Sequence, residues 1–217
     1  MNDIKHIIID LDGTMLDTSE GMISSVKYMI DKMGYEMPDE DTLESFVGPR
    51  IQDSLVRVYA LEGEELTKAA ATFRDHYKAG DVLVASPYDG LEDVLKKLKE
   101  RGYVLTIATN KRQDFVDALM DKFDLSKYFT KVCGTDMQGK YTKTDLIGQC
   151  LDTHSEISKN QTVMIGDSAY DAIAAIETGI LFLGCVYGYD FKTFEDVVKY
   201  KPVVVIKDIK ELLNIFE

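Results

Sequence analysis

The stretch 7-IIIDLDGT-14 sets an apolar run against two carboxylates, Asp10 and Asp12, one residue apart. Side chains two positions apart on a strand point to the same side, so the pair converges if the extended geometry holds to the strand's end. An unpaired buried carboxylate is costly, so such a site needs a cation or hydrogen-bond donors. Gly13 and Thr14 follow, a bend whose amides are expected to be open to an anion. An ordinary Asp-Gly turn is the competing reading. A second apolar run ends in 166-GDSAYD-171, which places Asp167 and Asp171 near one another if a helix starts at Ser168. A third ends in Thr109-Asn110-Lys111, and 139-GKYTKTDL-146 brings Lys140 and Lys143 to the start of a helix. Helix capping and solvated lysines would explain these taken singly.

Together they make a coherent device. Three carboxylates suit a hard divalent cation, and Mg²⁺ fits a site with few protein oxygens and several waters. A threonine hydroxyl, backbone amides and a lysine suit phosphoryl oxygens. One aspartate remains to attack phosphorus and form an aspartyl-phosphate.

The surrounding pattern supplies the elements. Residues 4–10 read as a buried strand. From Ser19 to about Gly80 the periodicity is helical throughout, with Met22, Val26, Met29, Ile30 and Met33 on one helix that stops at Gly34. Beyond 80 the chain alternates: helix LEDVLKKLKERG, strand YVLTIATN, helix KRQDFVDALMDKF, short strand YFTKVCG, helix KTDLIGQCLDTH, strand TVMIGD, helix SAYDAIAAIETG, strands ILFLGCVYG and PVVVIK, and a closing helix DIKELLNIF. Alternation of this kind predicts an α/β fold, a Rossmann-like parallel sheet covered on both faces. The helical stretch then reads as an insertion. The expected division is a core of residues 1–15 and 83–217 and a helical cap of 16–82.

The 217 residues are 45% hydrophobic and 29% charged, the balance of a soluble globular chain. A net charge of −13 disfavours nucleic acid as a partner, since little basic surface remains to release counterions. No apolar run approaches the roughly 20 residues that span a bilayer, and none resembles a signal peptide, so a cytoplasmic protein is expected. Cys133, Cys150 and Cys185 are far apart and form no disulfide or zinc pattern.

The four motifs, DLDGT (10–14), ATN (108–110), a lysine in 139–143 and GDSAYD (166–171), occur in this order. On them the chain resembles the haloacid-dehalogenase superfamily, in its phosphoglycolate-phosphatase-like group with a helical cap after the first strand. The resemblance covers nearly the whole chain. It implies a Mg²⁺-dependent phosphatase acting on a small phosphorylated metabolite. Asp10 would be the nucleophile. Asp12 would be the acid for the leaving alcohol and then the base for water. The Asp10 carboxylate, the Asp12 carbonyl and the Asp167 carboxylate would bind Mg²⁺. Thr109, with amides near Gly13 and Asn110, would hold phosphate, and Asp171 would support the metal or orient the lysine. The resemblance favours Lys143 over Lys140, although the proline that often follows that lysine is Thr144 here.

The cap would exclude water and read the leaving group. Its most distinctive loop is 46-FVGPRIQDSL-55, where Arg50 is a candidate for a substrate carboxylate or second phosphate, or else a surface arginine at a helix start. Related capped enzymes act on pyrophosphate, nucleotides or sugar phosphates, and a β-phosphoglucomutase-like transfer is a further alternative. Thr14 leans away from the last, because such mutases usually carry an aliphatic residue there.

Overall fold

The structure is a computed structural model that describes residues 3–217. The chain divides into two compact units, one comprising the chain up to Asp17 with Pro87–Glu217, the other Thr18–Ser86. In chain order the elements begin with β1 (His6–Ile9), β2 (Leu16–Asp17), α1 (Ser19–Met33), α2 (Glu40–Glu44), α3 (Ile51–Tyr59), α4 (Gly63–Ala79) and β3 (Ser86–Pro87). They continue with α5 (Leu91–Glu100), β4 (Val104–Arg112), α6 (Gln113–Lys122), β5 (Lys131–Thr135), α7 (Lys143–Thr153), β6 (Thr162–Gly166) and α8 (Ala169–Thr178). The last are β7 (Leu181–Cys185), α9 (Phe194–Val198), β8 (Val204–Ile206) and α10 (Leu212–Ile215).

Six strands of the first unit form one sheet in the order β5-β4-β1-β6-β7-β8, parallel at every pairing. The first strand of the chain is thus interior. It lies between strands formed about 100 and 160 residues later, with Ile9 level with both Ile107 and Ile165. This explains the unbroken apolar run. All four residues of β1 are buried; three are isoleucines, and the fourth, His6, has Nε2 hydrogen-bonded to Thr106 Oγ1. Each wholly buried isoleucine stabilises the sheet by about 1.5–3 kcal/mol. One core face gathers Ile8, Ala108, Met164, Leu146, Ile147 and Ala172 among others, from β1, β4, β6, α7 and α8.

The sheet grows to one side of β1 through β4 and β5, and to the other through β6, β7 and β8. The order reverses at β1, and in open sheets of this kind ligands bind beyond the carboxyl ends of the strands at that point. Asp10, Thr109 and Asp167 all stand there.

In the second unit α1 packs on α4, and Val26, Met29, Ile30, Leu43, Phe46, Leu55, Phe73 and Tyr77 are buried. α1 ends at Gly34 in the left-handed region, whose amide caps Ile30 and Asp31 carbonyls. No helix among the described residues is long and apolar enough to cross a membrane.

Candidate active site

Asp10 directly follows β1, and its amide donates to Ile165 of β6 at 2.9 Å. Register, with Ile9 level with Ile107 and Ile165, therefore sets it beside Ala108 of β4 and Gly166 at the end of β6. Two helix starts supply its neighbours. In 142-TKTD-145 the Thr142 and Asp145 side chains form a reciprocal cap, which makes Lys143 the first residue of α7. In 168-SAYD-171 Ser168 and Asp171 do the same for α8. A lysine in a first helical turn opposes the helix dipole. Its partners explain why it is there. Lys143 Nζ lies 2.7 Å from Asp10 Oδ1 and 2.8 Å from Asp171 Oδ1, and donates to the Ala108 carbonyl at 2.9 Å. Asp171 meanwhile uses Oδ2 for the Ser168 amide and hydroxyl, at 3.1 and 2.6 Å.

Asp167 is held on both oxygens. Thr14 Oγ1 donates to Oδ1 at 3.0 Å, and the Tyr189 amide donates to Oδ2 at 2.6 Å. The Phe191 amide donates to its carbonyl at 2.9 Å. The Tyr187 hydroxyl in turn donates to the Thr14 carbonyl at 2.8 Å. Two glycines admit this carboxylate. A Cβ on Gly13 (φ +79°) or on Gly188 would fall within 3.0 Å of the Asp167 side chain.

Asp10, Asp167 and Asp171 each present an oxygen, and the three lie within 4.8 Å of one another. All three are buried. Burial foremost pushes Asp10 up to about 8; Lys143 pulls it back, while Asp171 and Asp167 add to the rise. Burial and then Asp171 push Asp167 up to about 7, against the Tyr189 amide, Thr14 and Lys143. Burial works against the charge on Lys143, but Asp10 and Asp171 outweigh it and hold the ammonium well above its ordinary range. One ammonium stands among three carboxyl groups, so the site is short of positive charge. A hard divalent cation fits this all-oxygen set and its charge.

The other candidates fall as follows. Thr109 is buried, and its Oγ1 accepts the Lys111 amide at 3.2 Å. Asn110 has a buried Oδ1 without a hydrogen-bond partner. The carboxylate of Asp12 is not in the acidic group; Lys111 Nζ donates to its Oδ1 at 2.8 Å. The expectation that the Gly13–Thr14 bend leaves its amides open is corrected. Gly13 N donates to Leu16 O at 2.9 Å, and the amides of Thr14, Met15 and Leu16 go to Leu11 O. The turn closes on itself, so Gly13 contributes its missing side chain rather than its N–H. Lys140 sits in the exposed loop before α7, its amide on Asp136. Arg50 belongs to the helical unit, at the residue before α3. Sequence reasoning missed Lys111 as the partner of Asp12 and the Tyr187–Tyr189 loop around Asp167. No local period signals either one.

A family model described as haloacid dehalogenase-like hydrolase matches residues 7–185. The chain belongs to that family. This hydrolase is 30% identical to a phosphoglycolate phosphatase of Agrobacterium fabrum, over 94% of this chain and 89% of the relative. It is 27% identical to a 5'-nucleotidase of Pseudomonas aeruginosa, over 98% and 95%. Among solved structures, a haloacid dehalogenase-like hydrolase from Streptococcus pneumoniae superposes with a TM-score of 0.91 at 28% identity, covering all of both chains. The hydrolase is of the phosphatase kind by these similarities.

Proposed function

We propose that the protein is a Mg²⁺-dependent phosphatase that hydrolyses a small phosphomonoester through an aspartyl-phosphate on Asp10. The observation that carries this reading is the buried Asp10–Lys143 pair, 2.7 Å apart at the carboxyl end of the central strand, beside Asp167 and Asp171.

Asp10 would attack phosphorus in line with the ester oxygen. A carboxylate facing a phosphate dianion at about 4 Å is repelled by about 8 kcal/mol at an effective dielectric of 20. Lys143 at a similar distance recovers a comparable amount, but Asp167 and Asp171 add their own repulsion. Mg²⁺ held by the Asp10 and Asp167 carboxylates and the Asp12 carbonyl would offset that charge. Thr109 and Lys143 would hold phosphoryl oxygens, and Asp171 would keep Lys143 aimed. Asp12 would give its proton to the leaving alkoxide and later accept one from water. Arg50, in the helical unit, would read a second anionic group on the substrate.

The test is phosphate release from phosphoglycolate, pyrophosphate, nucleoside monophosphates, sugar phosphates and an aryl phosphate, with Mg²⁺ and with EDTA. Release that needs the metal and disappears in Asp10→Asn supports the reading. Release that survives Asp10→Asn, or none at all from folded protein, would sink it. The best substrate names what the helical unit reads.

A further inference from the structure

Lys111 Nζ lies 2.8 Å from Asp12 Oδ1, with the lysine side chain 5% and the aspartate 17% exposed. This is no solvent-exposed pair of negligible worth. Removing one partner of a shielded pair leaves a charge uncompensated. A local device brings the lysine there. The pairing of β4 with β5 slips between Thr109 and Arg112, and the Lys111 amide turns back onto Thr109 Oγ1. The irregularity sends the Lys111 side chain toward the end of β1. Two lysines thus divide the two aspartates of DLD: Lys143 takes Asp10, and Lys111 takes Asp12. Their tasks differ, since one must face phosphorus and the other the departing oxygen. A single lysine between them would draw both carboxylates to one point.

We propose that Lys111 is a positioning residue, which holds Oδ1 of Asp12 so that Oδ2 delivers the proton to the leaving oxygen. The inference rests on the phosphatase reading above and deepens it. In the first half-reaction a bond forms between Asp10 and phosphorus, and the ester P–O bond breaks with its electron pair on the leaving oxygen. That oxygen takes the proton of Asp12. In the second, water adds to phosphorus, its proton returns to Asp12, and the bond between phosphorus and Asp10 breaks. Lys111 neither gains nor loses a proton in either step. An alkoxide cannot leave without a well-placed proton, whereas a stabilised aryloxide can. Loss of Lys111 should therefore be read in the leaving group.

The experiment compares kcat/KM for an alkyl phosphate and for p-nitrophenyl phosphate, in Mg²⁺, for the parent, Lys111→Met and Lys111→Arg. Lys111→Met is expected to lose on the order of 10²-fold on the alkyl ester, chiefly in kcat, and less than about 5-fold on the aryl ester. Lys111→Arg should recover most of the alkyl activity. Equal losses on both esters, or a raised KM with kcat unchanged, would overturn the positioning role in favour of phosphate binding or a purely structural part. A parent that hydrolyses neither ester overturns the phosphatase reading and this inference together. An active parent whose ester preference survives Lys111→Met overturns this inference alone.

Discussion

Replacing Asp10 by asparagine is expected to stabilise the metal-free protein while abolishing turnover. The reason is the burial of its carboxyl, to which Asp171 and Asp167 add. In the folded chain Asp10 is pushed from 3.8 up to about 8, chiefly by burial. A group whose folded pKa lies above its unfolded value binds more protons in the native state between the two values. Asp10's contribution to the parent's stability should therefore fall as pH rises from about 4 to about 8. The ceiling is about 4 units at about 1.4 kcal/mol each, or roughly 5–6 kcal/mol at pH 8. That rise is already net of Lys143, whose ammonium and hydrogen bond pull it down. The expected gain is then several kcal/mol at pH 8, shrinking to about zero near pH 4. The assay is urea unfolding in EDTA at several pH values, followed by far-UV circular dichroism because the chain has no tryptophan. Adding Mg²⁺ should stabilise the parent more than the variant, since the variant lacks one carboxylate. A metal-free Asp10→Asn protein that is less stable than the parent at pH 8 would refute the reasoning. It would mean that the ion pair with Lys143 outweighs burial and that the site needs no further positive charge.

Three further outcomes are expected. Gly166→Ala would set a methyl group within 3.0 Å of the Asp171 carboxyl, displacing the partner of Lys143; a loss of about 1–3 kcal/mol and of most turnover should appear in melts and phosphate release. Thr14→Val removes the hydroxyl that donates to Asp167, which should cost about 1–2 kcal/mol and raise the Mg²⁺ concentration needed for half-maximal activity. His6, buried with Nε2 on Thr106 Oγ1, is held down at about 4, first by burial and then by His154, against Glu156. Its folded pKa lies below the unfolded value, so His6's own contribution of about 3 kcal/mol is lost as pH falls from about 6.5 to about 4, against the trend from Asp10, and His6→Gln should remove that contribution from the parent's urea titrations.

The elements were legible wherever the pattern was local. The buried run before Asp10 is a strand because three consecutive isoleucines suit a site covered on both faces. The helices α7 and α8 begin where Thr142-x-x-Asp145 and Ser168-x-x-Asp171 place them, by a cap readable from four residues. Two boundaries were not legible. The sequence puts Lys111 at the head of a helix, whereas it continues β4 through a register slip, and its partner Asp12 is 99 residues away. The apolar run ILFLGCVYG reads as one strand, yet β7 ends at Cys185 and the next residues fold over Asp167. In both cases a contact distant in sequence overrides the local period. The closing segment shortens for a related reason. DIKELLNIF reads as one helix but forms a tight turn at Ile209–Glu211 and then the four-residue α10. The open Gly13 turn failed differently. Its residues permit several hydrogen-bond schemes, and only the position of the Leu11 carbonyl decides between them.

The interior place of β1 also bears on how the chain reaches its native state. The strand that leads into Asp10 is synthesised well before its two neighbours, which begin at Val104 and Thr162. Until β6 exists, the three isoleucines lack a neighbour on one side, and Asp10 lacks Asp167 beside it. Thr18–Ser86, by contrast, is contiguous and helical, so its contacts are close in sequence and can form early. Folding of the sheet must therefore wait on closure of loops of roughly 100 and 150 residues, which is slow and leaves an aggregation-prone strand exposed meanwhile. A ribosome-bound chain ending before β6 should hold a folded helical unit ahead of an unassembled catalytic strand.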